Sequence, residues 1–312
     1  MRVLGIDTSN YTCSTAFYDT QSRRMEMAKH LLPTPEGSLG LRQSQAVFEH
    51  TKLLGKMMQQ LFETADGLPE AIGVSVRPRN VEGSYMPCFL TGKMAADSIG
   101  AVLGIPVHEF SHQQGHIAAA LYSAKRLEWL HHSEFIAFHV SGGTTDCLLV
   151  KTGNGTIDQI KMVGTSLDLK AGQAIDRVGV SLGLPFPAGP YLEQLALQCT
   201  DKIKTQPMVK GLDCCLSGLE NQCGKLKEQG AEPSYIARYC LQYIQQTLER
   251  MLLATIEQYG KKPVLFAGGV MSNRIIRDYF TGKYQACFAK PEFSSDNAGG
   301  IAVLAGKMEE LA

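Results

Sequence analysis

The chain has 312 residues, 44% of them hydrophobic and 19% charged, which is typical of a packed globular protein with one large or two medium domains. The 30 basic and 30 acidic residues cancel, so no global electrostatic field attracts nucleic acid, and such contacts need a local patch. Nine scattered cysteines without a Cys-x-x-Cys pair favour free thiols over a disulfide framework. The N-terminus reads as a strand rather than a signal sequence, and no apolar run is long enough for a membrane helix. We therefore expect a soluble, cytoplasmic protein.

Apolar periodicity predicts the order βββαβαβα for the first part of the chain. The expected elements are strands at 3–6, 13–19 and 25–32, a helix at 43–64, a strand at 71–76, a helix at 85–103, a strand at 105–110 and then a helix with two histidines. The polar stretch at 7–11 is expected to form the turn after the first strand. It either presents Asp7 and hydroxyl groups to a phosphate, metal or water, or is a plain hairpin turn.

The pattern then restarts. The expected elements are strands at 135–140, 147–151 and 157–163, helices at 171–182, 192–198, 216–229 and 234–259, a strand at 263–267, a helix, a last strand at 284–289 and a helix rich in small residues. Both parts open with a strand, a polar turn and a strand, which suggests duplicated α/β domains with a nucleotide between them.

Two histidines, His112 and His116, are four residues apart in a segment predicted to be helical. Residues at that spacing lie on one face of a helix, so two imidazoles can bind one divalent cation. The alternative is that His112 and His116 are solvated side chains or cap the helix. Asp296 follows the last predicted strand and is a candidate third ligand or a simple helix N-cap. Gln113 stands where a zinc protease carries its glutamate base, which argues against a protease.

Glycine-rich turns after two predicted strands are candidates for nucleotide binding, because glycine lets the backbone approach a phosphate or base closely. The candidate contacts are Ser141, Gly142, Gly143 and Thr144 in the first turn, and Gly268, Gly269 and Asn273 in the second. Tight hairpin or ordinary βα turns are the alternatives. Asp176 is either a ribose ligand or a surface acid, and Gly189 is a second point of close approach.

The order of these motifs resembles one family, the catalytic subunit that synthesises threonylcarbamoyladenosine in tRNA (TsaD proteins, once called glycoproteases). The matching stretches are 3–9, 112–116, 140–143, 164–168, 171–176, 183–190, 217–219, 267–273 and 295–297. They occur in family order over nearly the whole chain.

The resemblance implies a two-domain α/β fold of the actin and Hsp70 type, with the nucleotide in the interdomain cleft. The expected division places 1–110 and the C-terminal helix 296–312 in one subdomain and 111–295 in the other. It also implies His112, His116 and Asp296 as ligands of one divalent metal, iron or zinc. The candidate nucleotide contacts would hold ATP or threonylcarbamoyl-AMP, with or without magnesium.

The activity implied by the resemblance is transfer of threonylcarbamoyl to N6 of the adenosine that follows the tRNA anticodon. The implied partners are tRNA, a degenerate homologous subunit and a small ATPase, with no membrane. Two alternatives remain open. One is a paralogue that carbamoylates a non-tRNA acceptor, and the other is a non-catalytic nucleotide-binding partner of the true synthase.

Several positions depart from the family pattern around the acyl group. The usual Cys-Asp-Glu-Thr is replaced at 10–13 by Asn-Tyr-Thr-Cys, which removes an acid. The usual Gly-Pro-Gly loop becomes Arg-Pro-Arg at 77–79, a histidine becomes Thr144, an aspartate becomes Leu169, and a glycine becomes Ala298. The predicted metal ligands and nucleotide glycines are retained, which favours conserved cofactors with an altered acceptor or weak activity.

Overall fold

The computed structural model describes residues 1–33, 41–294 and 298–311. The chain divides into two compact units. The first contains 1–133, 151–160 and 292–312, and the second contains 134–150 and 161–291. The expected boundary after residue 110 therefore falls inside the first unit.

The first part of the chain has the predicted order of elements. These are β1 (Arg2–Ser9), β2 (Thr12–Asp19), β3 (Met25–Leu31), α1 (Gln43–Phe62), β4 (Ala71–Arg77), α2 (Phe89–Leu103), β5 (Val107–Ser111) and α3 (His112–Ser123). The five strands form one sheet in the order β3-β2-β1-β4-β5. Pairing is antiparallel between β1, β2 and β3, and parallel between β1, β4 and β5. The carboxyl ends of three strands therefore meet at one edge of the sheet.

Asp7 lies within β1, whereas the sequence placed it in the following turn. Asp7 pairs with Ser14 and Ser9 with Thr12, so only residues 10 and 11 remain for the turn. Every β1 residue from Val3 onward is buried, because helices cover the sheet on both faces. A carboxylate at this position is consequently held inside the unit rather than on a loop.

The second part also largely follows the predicted order. Its elements are β6 (Glu134–Val140), β7 (Thr145–Gly153), β8 (Thr156–Thr165), α4 (Ala171–Ser181), α5 (Gly189–Ala196), β9 (Met208–Lys210), β10 (Asp213–Cys215), α6 (Ser217–Glu228), α7 (Pro233–Tyr259), β11 (Val264–Ala267), α8 (Arg274–Tyr284), β12 (Cys287–Phe288) and α9 (Gly299–Leu311). A second sheet has the order β12-β11-β6-β7-β8. The pairing of β9 with β10 was not predicted, because three-residue strands are too short to show a period.

The predicted last strand was too long. Tyr284 ends α8, where its hydroxyl donates to Glu249, and only two residues form β12. The core of the second unit lies between its sheet and its helices. Phe266 stacks on Phe138 and Phe288 there, and the long helix α7 contributes Leu241 and Leu248.

The histidine helix α3 belongs to the first unit because it packs backbone to backbone against α9. A Cβ atom on Gly300 would lie 1.8 Å from the carbonyl oxygen of Gly115, and one on Gly115 would lie 2.8 Å from Ile301. No larger residue fits at Gly300, because the clash there is with backbone. This close approach explains why the unit boundary lies beyond α3 and not before it.

All nine cysteines are free thiols, as the sequence predicted. Within the described ranges, no helix combines the length and apolar character that crossing a membrane requires.

Candidate functional site

Four side chains of the first unit form a polar group that we call the histidine cluster: Asp7, Ser75, His112 and His116. The sheet brings them together, because Asp7 lies near the carboxyl end of β1, Ser75 near that of β4, and His112 directly follows β5. Parallel pairing aligns these three strand ends at one edge.

The start of α3 is fixed by a capping box. The Ser111 hydroxyl accepts from the Gln114 backbone N–H at 3.2 Å, and the Gln114 side chain accepts from the Ser111 N–H at 2.8 Å. Both partners are buried. The helix therefore begins at His112, and His116 follows one turn later on the same face.

The two imidazoles converge on one point. Nε2 of His112 lies 2.9 Å from Nε2 of His116, and Nδ1 of His112 lies 2.8 Å from Oδ2 of Asp7. A carboxylate accepts, so Nδ1 of His112 donates to Asp7, and in the neutral imidazole Nε2 then carries the lone pair on the side of His116. The Ser75 hydroxyl donates to the other Asp7 oxygen. Asp7 is only 1% exposed, so these donors satisfy a charge removed from water.

This arrangement fits a divalent metal held by two histidines. Two Nε2 atoms face one point, and a buried carboxylate behind His112 fixes its tautomer, as acidic partners of metal-binding histidines do. Asp296, the predicted third ligand, lies outside the described residues. Within residues 1–33, 41–294 and 298–311, no group of three His, Cys, Asp or Glu side chains is arranged to hold a metal.

Two thiols beside Asp7 remain protonated. Burial, with a smaller contribution from the Asp7 charge, raises the pKa of Cys13 to about 12 and that of Cys88 to about 11. Thiols with such pKa values are poor ligands and poor nucleophiles at neutral pH. Burial also lowers the pKa of His50, whose Nε2 donates to the Ser9 carbonyl at 2.8 Å.

The second unit contains a cavity of about 520 Å³, within the range of small-molecule sites. Its lining combines backbone at glycines, apolar side chains and a few polar groups: Gly142, Gly172, Ile175, Asp176, Pro187, Gly189, Pro190, Glu193, Gln194, Gly269, Val270, Ser272, Asn273 and Arg274. Five of the nine residues that the sequence assigned to the nucleotide are brought together here.

Asp176 and Asn273 each also hold the wall of the cavity in place. Oδ1 of Asp176 accepts from the Ala188 N–H at 2.8 Å, which fixes the loop before α5. Oδ1 of Asn273 accepts from the Ile276 N–H at 3.2 Å and caps α8. Each side chain therefore has one end engaged in the fold. Among the described residues, the second Asp176 oxygen and the Asn273 amide nitrogen have no hydrogen-bond partner.

The other four predicted residues, Ser141, Gly143, Thr144 and Gly268, do not line the cavity. The N–H groups of Gly143 and Thr144 both donate to the Ser141 hydroxyl at 3.1 Å. In this conformation the backbone N–H groups of Gly143 and Thr144 are hydrogen-bonded within the turn itself.

Gly268 is needed for packing. It has φ +101°, and a Cβ atom there would lie 2.2 Å from the Val140 carbonyl oxygen. The ends of β6 and β11 thus approach each other closely at this residue.

The sequence analysis missed the ion pair between Glu193 and Arg274. Nε of Arg274 lies 3.1 Å from Oε1 of Glu193, whose side chain is 14% exposed. The sequence did offer a signal that Glu193 lines the same cavity as Gly189, because the two residues are four apart and therefore lie on the same face of α5. Gly172 was also missed. A Cβ atom there would lie 2.6 Å from the backbone nitrogen of Gly142, so α4 packs directly on the turn at 141–144.

Comparison with known proteins identifies the family. The model of the TsaD family, described as tRNA N6-adenosine threonylcarbamoyltransferase, matches residues 37–303. The chain belongs to the TsaD family. It is 28% identical to the tRNA N6-adenosine threonylcarbamoyltransferases of Legionella pneumophila strains Corby and Paris, over 97% of this chain and 92% of each relative. This is a family of transferases.

Solved structures support the fold that the sequence predicted. Component A of the (R)-2-hydroxyglutaryl-CoA dehydratase of Acidaminococcus fermentans superposes with a TM-score of 0.56 at 15% identity, covering 100% of this chain and 99% of that one. Full-length HypF superposes with a TM-score of 0.60 at 13% identity, covering 99% of this chain and 55% of that one. The fold class, an α/β fold of the actin and Hsp70 ATPase type, is confirmed.

Proposed function

We propose that this TsaD-family protein transfers a threonylcarbamoyl group from threonylcarbamoyl-AMP to N6 of the adenosine that follows the tRNA anticodon. The observation that carries the proposal is the pair of Nε2 atoms of His112 and His116, 2.9 Å apart and supported by the buried Asp7. Family membership supplies the reaction class.

In this proposal His112, His116 and Asp296 hold one divalent metal, iron or zinc. A metal bound there supplies a Lewis acid for the acyl carbonyl of the donor. Asp7 keeps the His112 proton on Nδ1, so that Nε2 is available as a ligand. Ser75 in turn orients Asp7 by donating to its second oxygen.

The cavity of the second unit binds the AMP part of the donor, or ATP with or without magnesium. Ile175, Val270 and Pro187 supply apolar surface for the base. The Asn273 amide group offers two donors, and the second Asp176 oxygen accepts from a ribose hydroxyl. The turn at 141–144 holds the phosphate when its two N–H groups leave the Ser141 hydroxyl.

The resemblance to the family is the basis for proposing an acceptor and partners. We propose tRNA as the acceptor, with a degenerate homologous subunit and a small ATPase as partners in the cytoplasm. The altered residues near the acyl group favour one alternative, a paralogue with a non-tRNA acceptor. A non-catalytic partner of a true synthase is the second alternative, and the His112–His116 geometry argues against it because a scaffold does not need a metal site.

One experiment separates these functions. The protein is purified anaerobically, its metal content is measured, and threonylcarbamoyl-AMP and unmodified tRNA are added with and without the partner subunits. Mass spectrometry then detects the modified nucleoside, with the His112→Ala/His116→Ala variant as control. Modified tRNA supports the synthase. Bound metal and nucleotide without modified tRNA would favour another acceptor, and absence of metal from the wild type would leave the non-catalytic partner.

A further inference from the structure

The loop that follows β4 carries two arginines, Arg77 and Arg79, where the family pattern has glycines. Arg77 is the last residue of β4 and pairs in register with Ser111, the residue directly before His112. The Pro78 carbonyl accepts from the Gln113 N–H at 3.0 Å. The loop is therefore anchored to the first turn of α3, next to the histidine cluster.

This loop borders an open pocket of about 390 Å³ on the protein surface, lined by Arg77, Asn80, Val81, Glu82, Gly83 and Ser84. The Arg77 guanidinium donates to the Asn80 side chain at 2.9 Å. No carboxylate within the described ranges forms an ion pair with Arg77, whereas five other arginines have one: Arg2, Arg24, Arg126, Arg177 and Arg274. A guanidinium with several remaining donors thus borders a cavity of ligand size.

The N-terminus of α3 does not supply this positive charge. The N–H groups of Gln113 and Gln114 are already bonded to Pro78 and Ser111. Arg77 is the basic side chain of the cavity lining, while the side chain of Arg79 does not reach it. An anion that enters the cavity would therefore be held by Arg77.

We propose that Arg77 binds the carboxylate of the amino-acid part of the carbamoyl donor, next to the histidine cluster. This inference rests on the proposed function, in which the donor carries a ureido acid. A planar guanidinium binds a carboxylate through two parallel hydrogen bonds. Glu82, in the same lining, accepts from the N–H or hydroxyl groups of such a ligand.

The first test measures binding of a fragment without the nucleotide. N-carbamoyl-L-threonine is titrated into the full-length protein and followed by amide NMR shifts, alongside N-carbamoyl-L-threoninamide, which lacks the carboxylate. We expect Arg77→Gln to weaken binding of the acid about tenfold or more, because the bidentate, charge-assisted pair is lost. Arg77→Lys should weaken binding less, because lysine keeps the positive charge but cannot form the two parallel hydrogen bonds. Arg79→Gln is the matched control, since it removes the same charge from the same loop.

Equal losses in Arg77→Gln and Arg79→Gln would overturn the inference, as would equal binding of the acid and the amide by the wild type. Failure of the wild type to bind the acid would also overturn it. Tighter binding by Glu82→Gln would show a general anion site and contradict the role of Glu82.

A second test separates this inference from the proposed function. In the transfer assay we expect Arg77→Gln to raise KM for threonylcarbamoyl-AMP about tenfold with little change in kcat, because the carboxylate is bound equally in the ground and transition states. Transfer by the wild type with an unchanged KM in Arg77→Gln would overturn the inference alone. Binding of the fragment that depends on Arg77, without any transfer by the wild type, would overturn the proposed function alone.

Discussion

The histidine cluster and the second-unit cavity are built in different ways. The cluster consists of side chains on β1, β4 and α3, each bonded to another polar group, around a carboxylate that is 1% exposed. The cavity is walled largely by backbone and apolar side chains at the ends of elements, with Gly142 and Gly269 in its lining. Chemistry that needs fixed donor atoms suits the first region, and binding of a flat ligand suits the second.

The difference also predicts how each region responds to substitution. In the cluster, removal of one polar group leaves another buried group without its partner, so function and stability change together. In the cavity, several residues can be replaced without loss of a core contact. The following predictions use that contrast, from the largest expected effect to the smallest.

The His112→Ala/His116→Ala variant should lose the proposed metal and at least about a thousandfold of the proposed transfer rate, because both nitrogens proposed to bind the metal are removed. Its affinity for AMP should stay within about threefold of the wild type, since the AMP site is proposed in the other unit. Metal analysis and calorimetric titration with AMP measure the two effects. His108→Ala is the control, because His108 pairs with Glu309 and not with the cluster. Full metal content in the double variant would contradict the assignment.

Gly268→Ala should destabilise the protein by about 3 kcal/mol, since a Cβ atom would overlap the Val140 carbonyl at a φ that favours glycine. Gly269→Ala is the matched control. No atom lies within 4 Å of a Cβ added there, and the residue lines the cavity. This control should unfold like the wild type but bind AMP more weakly. Urea unfolding and AMP titration of both variants test the assignment, and the reverse ranking would refute it.

Asp7→Asn should lower metal affinity about 10- to 100-fold, the usual effect of losing a carboxylate behind a metal-binding histidine. The amide has almost the same shape, so the change reports mainly the charge and the tautomer of His112. Competition with a chelator measures the affinity, and ¹⁵N NMR of the imidazoles reports where the His112 proton lies. Glu309→Gln, which removes the carboxylate of the His108 pair, should leave both measurements unchanged.

Asn273→Asp should separate the two roles of this residue. A carboxylate still accepts from the Ile276 N–H and favours a helix N-terminus, so stability should stay within about 0.5 kcal/mol of the wild type. AMP affinity should fall, because two amide donors are replaced by a negative charge. Asn273→Ala should lose both AMP affinity and the helix cap, and loss of the cap should lower stability by about 1 kcal/mol. Thermal unfolding and AMP titration distinguish the variants, and unchanged AMP affinity in Asn273→Asp would exclude a ligand role.

The sequence predicted features that depend on neighbouring residues in the chain, and it did not predict features that depend on residues far apart in the chain. Apolar periodicity gave the order of the long elements, and the spacing of His112 and His116 placed them on one helix face. Ser75 and the exact position of Asp7 were not predictable, because the parallel register of β1, β4 and β5 brings together residues far apart in the chain. Gly268 shows why a glycine motif alone does not identify a ligand site. A glycine can be required for close packing or for close approach of a ligand, and only the atoms around it in the structure tell which.

The smallest predicted effect concerns Asp168, which joins a loop of the second unit to the start of α6. Burial alone would raise the pKa of this carboxyl, but hydrogen bonds from Ser217, Leu216 and Leu169 outweigh it and lower the pKa below its ordinary value of 3.8. A lowered folded-state pKa means that the stabilisation is complete above about pH 4 and is lost as the pH falls through the folded-state pKa. Because this side chain is exposed, Asp168→Asn should lower stability by less than about 1 kcal/mol at pH 7, and by less still at pH 3. Melting temperatures of wild type and variant across that range test this, and a pH-independent difference would show that shape, not charge, joins the loop to α6.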